Sequence, residues 1–241
     1  MTTASPLPVA LVTGAGSGLG AATATALLDA GYRLAALDID ATRLGTLSDR
    51  EDVLPLPCDL TDAAAIDAAV AAALDRFGRI DVVVNCAGID HTYWLEQLTV
   101  EQYDQILAVN LRAPFLMAKA VWTVMKRQGG GQIVNIASTA ATRVWPGASA
   151  YHASKFGLLG LSRAMNLEGR QENIRVLTVI PGGMDTRFLD RLEEQGIGRP
   201  DTARLQRPEN VARTIVHALS MPADSAIQEI VITHPDESSW P

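Results

Sequence analysis

Cysteine is nearly absent: Cys58 and Cys86 are the only two in 241 residues. One pair cannot staple a small secreted scaffold, and both thiols end apolar runs, where a buried cysteine needs no partner. No cluster of Cys and His accompanies them, so no metal is expected. Aromatic residues make up 5% of the chain, and the 48% of apolar residues are interrupted too often for any run to span a bilayer. Met1–Pro8 lacks both the basic start and the apolar stretch of a signal peptide, which points to the cytoplasm. Positive charge is not in excess either. The formal net charge is −7, and without a basic stripe nucleic acid is excluded as the main partner. No linker rich in Pro, Gly or Ser divides the chain and no solenoid repeat recurs. One domain over residues 1–241 is therefore expected.

What the chain does have is alternation. Short apolar runs (Val9–Val12, Arg33–Leu37, Val53–Leu56, Ile80–Asn85, Ile133–Ala137, Arg175–Ile180, Glu229–Thr233) are separated by alanine-rich helical stretches. Such a pattern predicts an α/β fold with a doubly wound, Rossmann-like parallel sheet in three αβα layers. Helices are expected near Ala21–Ala30, Ala41–Leu47, Asp62–Phe77 with Thr61 as cap, Tyr151–Arg170 and Glu209–Leu219. A longer one, Thr99–Lys126, is broken near Asn110 and Pro114.

Between the first run and the first helix lies Thr13-Gly14-Ala15-Gly16-Ser17-Gly18-Leu19-Gly20. Glycines there let backbone approach a pyrophosphate, and the helix amino terminus supplies N–H groups and a positive dipole end. The next strand ends in Asp38, eighteen residues after Gly20. An acid near that offset accepts from an adenosine ribose and repels a ribose phosphate, which favours NAD as cofactor.

Tyr151 and Lys155 share one helix face four residues apart. At that spacing an ammonium can favour the phenolate and make the tyrosine a usable base. Thirteen residues upstream, the Ile133–Ala137 strand delivers the hydroxyl of Ser138. Hydride transfer makes or destroys an alkoxide-like oxygen, a task for a proton relay and a hydroxyl donor.

Four motifs in this order, the glycine-rich turn, Asn85-Cys86-Ala87-Gly88, Ser138 with Tyr151 and Lys155, and Pro181-Gly182, make the chain resemble the short-chain dehydrogenases/reductases of the compact, single-domain type. The resemblance spans most of the chain. It implies that Tyr151 is the general acid/base, that Ser138 polarises the substrate oxygen, and that Lys155 lowers the Tyr151 pKa and binds the nicotinamide ribose. Asn110 matches the residue that holds a water between Lys155 and solvent; on its own it reads as a polar residue bending its helix. Thr186 matches the position that meets the nicotinamide carboxamide. The cofactor set is Gly14, Ser17, Gly18, Leu19, Gly20, Asp38, Asp59, Leu60, Asn85, Ala87, Gly88, Tyr151, Lys155, Pro181, Gly182 and Thr186. For Asp59 two readings stand together, a helix-start residue and a partner of the adenine amino group.

Cys86 replaces the second asparagine usual in this family, and Pro235–Pro241 replaces its usual aspartate-glycine-glycine ending, which leaves the tetramer interface open. A dimer or tetramer is expected, built from the helices carrying Phe115 and Phe156, which are apolar around more of their circumference than one sheet covers. The tail residue Trp240 is a candidate for docking on a neighbouring subunit. Candidate substrate contacts for a small molecule are His91, Trp94, Arg143, Trp145 and Met184. Arg143 reads as an anion clamp or a solvated charge, Trp145 as a pocket wall or a packing residue. His152 matches no family role. The substrate loop, about 183–206, is short for a lid, which points to a small or open-bound substrate. The alternatives to an NAD-dependent enzyme are an NADP-preferring carbonyl reductase and a non-catalytic nucleotide sensor on the same fold.

Overall fold

The structure, a computed structural model, describes residues 7–45, 47, 50–198 and 201–237. Its strands are β1 (Val9–Thr13), β2 (Arg33–Asp38), β3 (Val53–Pro57), β4 (Val82–Asn85), β5 (Gly131–Ile136), β6 (Ile174–Pro181) and β7 (Glu229–Ile232). They form one sheet in the order β3-β2-β1-β4-β5-β6-β7, every neighbouring pair parallel. The order runs outward in both directions from β1 and β4. The sheet is therefore doubly wound, and the crevice of such a fold opens at the carboxyl ends of those two strands.

Every residue of β1 is buried, which its unbroken apolar sequence permits and a sheet covered on both faces requires. Helices α1 (Gly18–Asp29) and α7 (Pro208–Leu219) cover one face through Leu27, Leu28, Val211 and Ile215. Helices α2 (Ala63–Phe77), α4 (Ala113–Gln128) and α5 (Ser149–Gly169) cover the other through Ile66, Phe77, Met117, Met125 and Met165. Helix α3 (Val100–Leu107) leads into α4, and α6 (Asp190–Glu194) lies in the segment after β6. Among the described residues no helix is long and apolar enough to cross a membrane.

Several local expectations are corrected. Asp62, not Thr61, caps α2 by accepting from the Ala64 N–H at 2.8 Å. Thr61 is spent instead on Asp59 Oδ1, which takes both its N–H (2.9 Å) and its hydroxyl (2.8 Å). The helix expected at Ala41–Leu47 is one 3₁₀ turn, Ala41–Leu44, capped by Asp40; Gly45, a poor helix former, follows it. The Thr99–Lys126 stretch breaks where expected. A π-turn over Ala108–Arg112 joins α3 to α4, and Pro114, which has no N–H to continue the ladder, follows it in the first turn of α4. At the other end of the chain, Glu237 Oε2 accepts from the Gly183 N–H at 2.9 Å, next to the Pro181-Gly182 turn. Trp240 lies outside the described residues.

Candidate active site

The crevice is built first from glycine. At the end of β1, Thr13 Oγ1 accepts from the Ala87 N–H at 3.1 Å and ties the turn to the loop after β4. Gly14 has φ +66°, and a Cβ there would stand 3.0 Å from Ala87 Cα; a Cβ on Gly20 would lie 1.9 Å from the Gly14 oxygen. Only glycine fits this approach of turn, helix and neighbouring loop. Helix α1 begins at Gly18, three residues earlier than its apolar pattern indicates, so Leu19 and Gly20 are buried in its first turn. That turn carries no acidic residue and Ser17 makes no side-chain cap, so the positive end of the helix dipole is uncompensated. Gly18 brings in the loop after β6: a Cβ there would lie 3.3 Å from Thr186 Cβ. These features fit a dinucleotide pyrophosphate.

Asp38 ends β2 beside the same turn, 7% exposed. Its two oxygens accept from the Gly16 and Asp40 N–H groups, each at 3.0 Å. Arg43, unnoticed in the sequence, packs its Cβ where a Gly16 side chain would go (2.5 Å), with its guanidinium on Asp40 at 3.0 Å. For Asp59 the hydrogen bonds match the helix-start reading, and Leu60 packs against the core.

The candidate catalytic residues gather where β5 meets α5. Ser138 Oγ accepts from the Ala140 N–H at 3.1 Å, and its hydroxyl lies near enough to the Tyr151 phenol to favour the ionised form. Lys155, buried, donates to the Ile136 oxygen at 2.8 Å and stands 5.6 Å from the centre of the Tyr151 ring. The lowering of the Tyr151 pKa by Lys155 does not emerge in the chain by itself. Removal from water pushes the phenol up to about 12, against the pull of the Ser138 hydrogen bond, with Asp90 adding to the rise and Arg191 opposing it. The same desolvation brings Lys155 down to about 8, while Cys86 and Asp90 raise it. Both groups are driven toward their neutral forms, because burial outweighs every neighbouring charge.

Asn110, in the π-turn, is fully engaged. Its Oδ1 accepts from the Ile89 N–H (2.9 Å) and its Nδ2 donates to the Ile89 oxygen (2.8 Å) and to Ser154 Oγ (3.1 Å). The helix breaks so that this side chain can hold the loop after Gly88. A Cβ on Gly88 would lie 3.5 Å from Asn110 Oδ1 and 3.7 Å from Lys155 Nζ, so the loop runs between them. Asn85 is buried with its amide on Asn135 Oδ1 at 2.8 Å, and Asn135 donates in turn to Ser162 Oγ at 2.9 Å. It thus fastens the strand ends to α5.

Of the candidate substrate residues, Met184 packs against the core under α1 and α7, His91 bonds Gln105 Oε1 at 3.0 Å, and Trp94 is 61% exposed. Arg143, half-buried, continues the turn begun at Ser138. Trp145 stacks edge-on against His152 at 4.4 Å. His152 has a role that its sequence did not announce. Its Nδ1–H donates to the Ala140 oxygen and its Nε2 accepts from the Trp145 N–H, both at 3.0 Å, so the imidazole clasps the loop that carries Ser138. The segment after Thr186, expected to be short for a lid, runs beside Tyr151 and bonds the loop after Gly88. Phe188 lies 5.8 Å from the Tyr151 ring, Arg191 pairs with Asp90 at 3.0 Å, and Gln195 exchanges hydrogen bonds with the Thr92 backbone at 3.3 and 3.4 Å.

A profile of the short chain dehydrogenase family matches residues 8–196. A D-threitol dehydrogenase of Mycolicibacterium smegmatis is 44% identical over 178 residues, 72% of this chain and 68% of that protein. Among solved structures, an alcohol dehydrogenase of the archaeon Thermococcus sibiricus, complexed with 5-hydroxy-NADP, superposes with a TM-score of 0.85 at 28% identity, covering 95% of this chain and 97% of that one. A 3-ketoacyl-(acyl-carrier-protein) reductase of Brucella melitensis, complexed with NADH, superposes at 0.83 with 29% identity, covering 95% and 98%.

Proposed function

The chain belongs to the short-chain dehydrogenase family, and from that premise we propose that it is a cytoplasmic, NAD-dependent oxidoreductase that interconverts a small secondary alcohol and its carbonyl. The observation that carries this reading is the gathering of Ser138, Tyr151 and Lys155, its Nζ 5.6 Å from the centre of the Tyr151 ring, at a strand end next to the glycine-rich turn. When bound, the dinucleotide supplies or takes the hydride. Tyr151 holds the proton that the substrate oxygen gains or loses, and Ser138 donates to that oxygen and fixes its position. Lys155, its pKa brought down to about 8 by burial, gives up a proton more readily than an exposed lysine and binds the nicotinamide ribose. Asn110 holds the loop after Gly88 beside Lys155. Asp38 favours NAD by repelling a ribose phosphate.

A second reading, an NADP-preferring carbonyl reductase, draws on Arg43, whose stem borders Gly16 and Asp38. Its guanidinium is already engaged by Asp40, which weakens that case. A non-catalytic sensor has no use for Ser138, Tyr151, Lys155 and Asn110 together.

We also read the chain as a homodimer or larger. Val121, Met125, Leu158 and Met165 are buried within the chain, but Phe115 and Phe156 remain 46% and 45% exposed. Phe115 lines an apolar groove of about 560 Å³ with Leu107, Leu111 and Leu161.

The decisive experiment is Tyr151→Phe. Turnover should vanish while NADH binding, followed by its fluorescence, stays within about twofold of wild type. A variant that keeps a tenth of the wild-type rate would remove Tyr151 from the chemistry.

A further inference from the structure

Asp90 follows Gly88 by two residues, on the loop that Asn110 holds beside Lys155, and is 7% exposed. Its Oδ2 takes the Arg191 Nη2–H at 3.0 Å and, weakly, the Thr92 hydroxyl at 3.4 Å. Its Oδ1 is buried and, among the described residues, has no hydrogen-bond partner; the same is true of Arg191 Nε. Arg191 also donates to the Phe188 oxygen and lies with its guanidinium 3.7 Å from the centre of the Phe188 ring. That ring touches the Tyr151 ring. The ion pair is therefore joined to the Tyr151 ring through Phe188, and the phenol feels both of its charges.

A buried acceptor and a buried donor left unsatisfied are each destabilising. The group that relieves both must donate and accept. A carboxylate or phosphate meets Arg191 and is repelled by Asp90; an ammonium does the reverse. A neutral hydroxyl does both jobs without adding charge. We propose that Asp90 and Arg191 form a subsite for a second hydroxyl of the substrate, near the reacting carbon, so that the chain prefers diols, polyols and hydroxyketones to compounds with a single oxygen.

The inference rests on the oxidoreductase reading above and adds the substrate class. It also couples substrate to closure. The pair that would receive the hydroxyl is the pair that joins the segment after Thr186 to the loop after Gly88, so a bound diol strengthens the contact that covers it.

The test compares 2-butanol with 2,3-butanediol, as kcat/KM with NAD, for wild type, Asp90→Asn and the double variant Asp90→Ala/Arg191→Met. The double variant removes both charges together, so that neither is left buried alone. Wild type should prefer the diol by about tenfold or more, and both variants should lose most of that ratio. A ratio near one in wild type, or an unchanged ratio in the variants, would reduce the pair to a latch satisfied by water. A second readout does not depend on turnover: 2,3-butanediol should raise the melting temperature of wild type in the presence of NADH, and raise it less in the double variant. If no alcohol turns over with either cofactor but this shift appears, the subsite stands and the catalytic reading falls. If turnover occurs on both alcohols alike and the shift is the same in all variants, the subsite falls and the catalytic reading stands.

Discussion

The choice between NAD and NADP can be worked from Asp38. Its carboxylate is held in place by two backbone N–H groups at 3.0 Å and is shielded from water. A unit negative charge about 5 Å from it would, at an effective dielectric of about 20–40, be repelled by roughly 2–3 kcal/mol. Each 1.36 kcal/mol is a factor of ten, so kcat/KM should favour NAD by about thirtyfold to a hundredfold or more. Arg43 offsets little of this, because its exposed guanidinium is already paired with Asp40 and screened by water. Asp38→Ala should narrow the gap mainly by weakening NAD, since it removes the ribose acceptor and both backbone anchors. Asp38→Asn should narrow it mainly by admitting NADP, at a cost of about 1–2 kcal/mol in stability, because its amide NH₂ must face one of two N–H donors. The assay is initial rate against each cofactor at saturating alcohol. Equal or better efficiency of the wild-type protein with NADP would refute the reasoning.

Replacing His152 by alanine removes two hydrogen bonds and the ring contact with Trp145, a loss of about 2–4 kcal/mol; the melting temperature should fall by about 5–15 °C, and a change under about 2 °C would show that the Ser138 loop is held otherwise. Lys155 titrates near 8 in the folded chain and near 10.5 when unfolded, so the unfolded state binds more protons between these values and stability must rise with pH across that window. Melting curves should therefore show wild type gaining on Lys155→Met from pH 8 to 10; parallel curves would contradict the burial of the ammonium. Light scattering should give at least twice the monomer mass of 25.7 kDa, and Phe115→Glu with Phe156→Glu should reduce it to that mass; a wild-type monomer at micromolar concentration would dispose of the interface.

Features with short-range causes were legible in the sequence. The glycine turn, the strand-end Asp38 and the Tyr151–Lys155 face depend on spacings of a few residues within one element, which backbone geometry converts directly into position. The alternation of strands and helices likewise led to the layers and the sheet. What stayed hidden depends on contacts that only the folded sheet creates: Asp90 with Arg191, Asn85 with Asn135, Glu237 with Gly183. Even the cap of α2 turned on a local competition, since Asp59 claimed Thr61 before the helix could. His152 is the instructive case. It lies next to the most readable residue of the chain, yet its partners are loop backbone atoms whose course no side-chain pattern encodes.

The bond between Glu237 and Gly183 has a practical side. An affinity tag or fused reporter appended after Pro241 would begin five residues beyond that carboxylate. Its linker would pull on the turn that precedes Thr186 and, through it, on the segment closing over Tyr151. Kinetic constants from carboxyl-terminally tagged protein would then report the linker as well as the enzyme. Extending the amino end instead leaves this tether undisturbed.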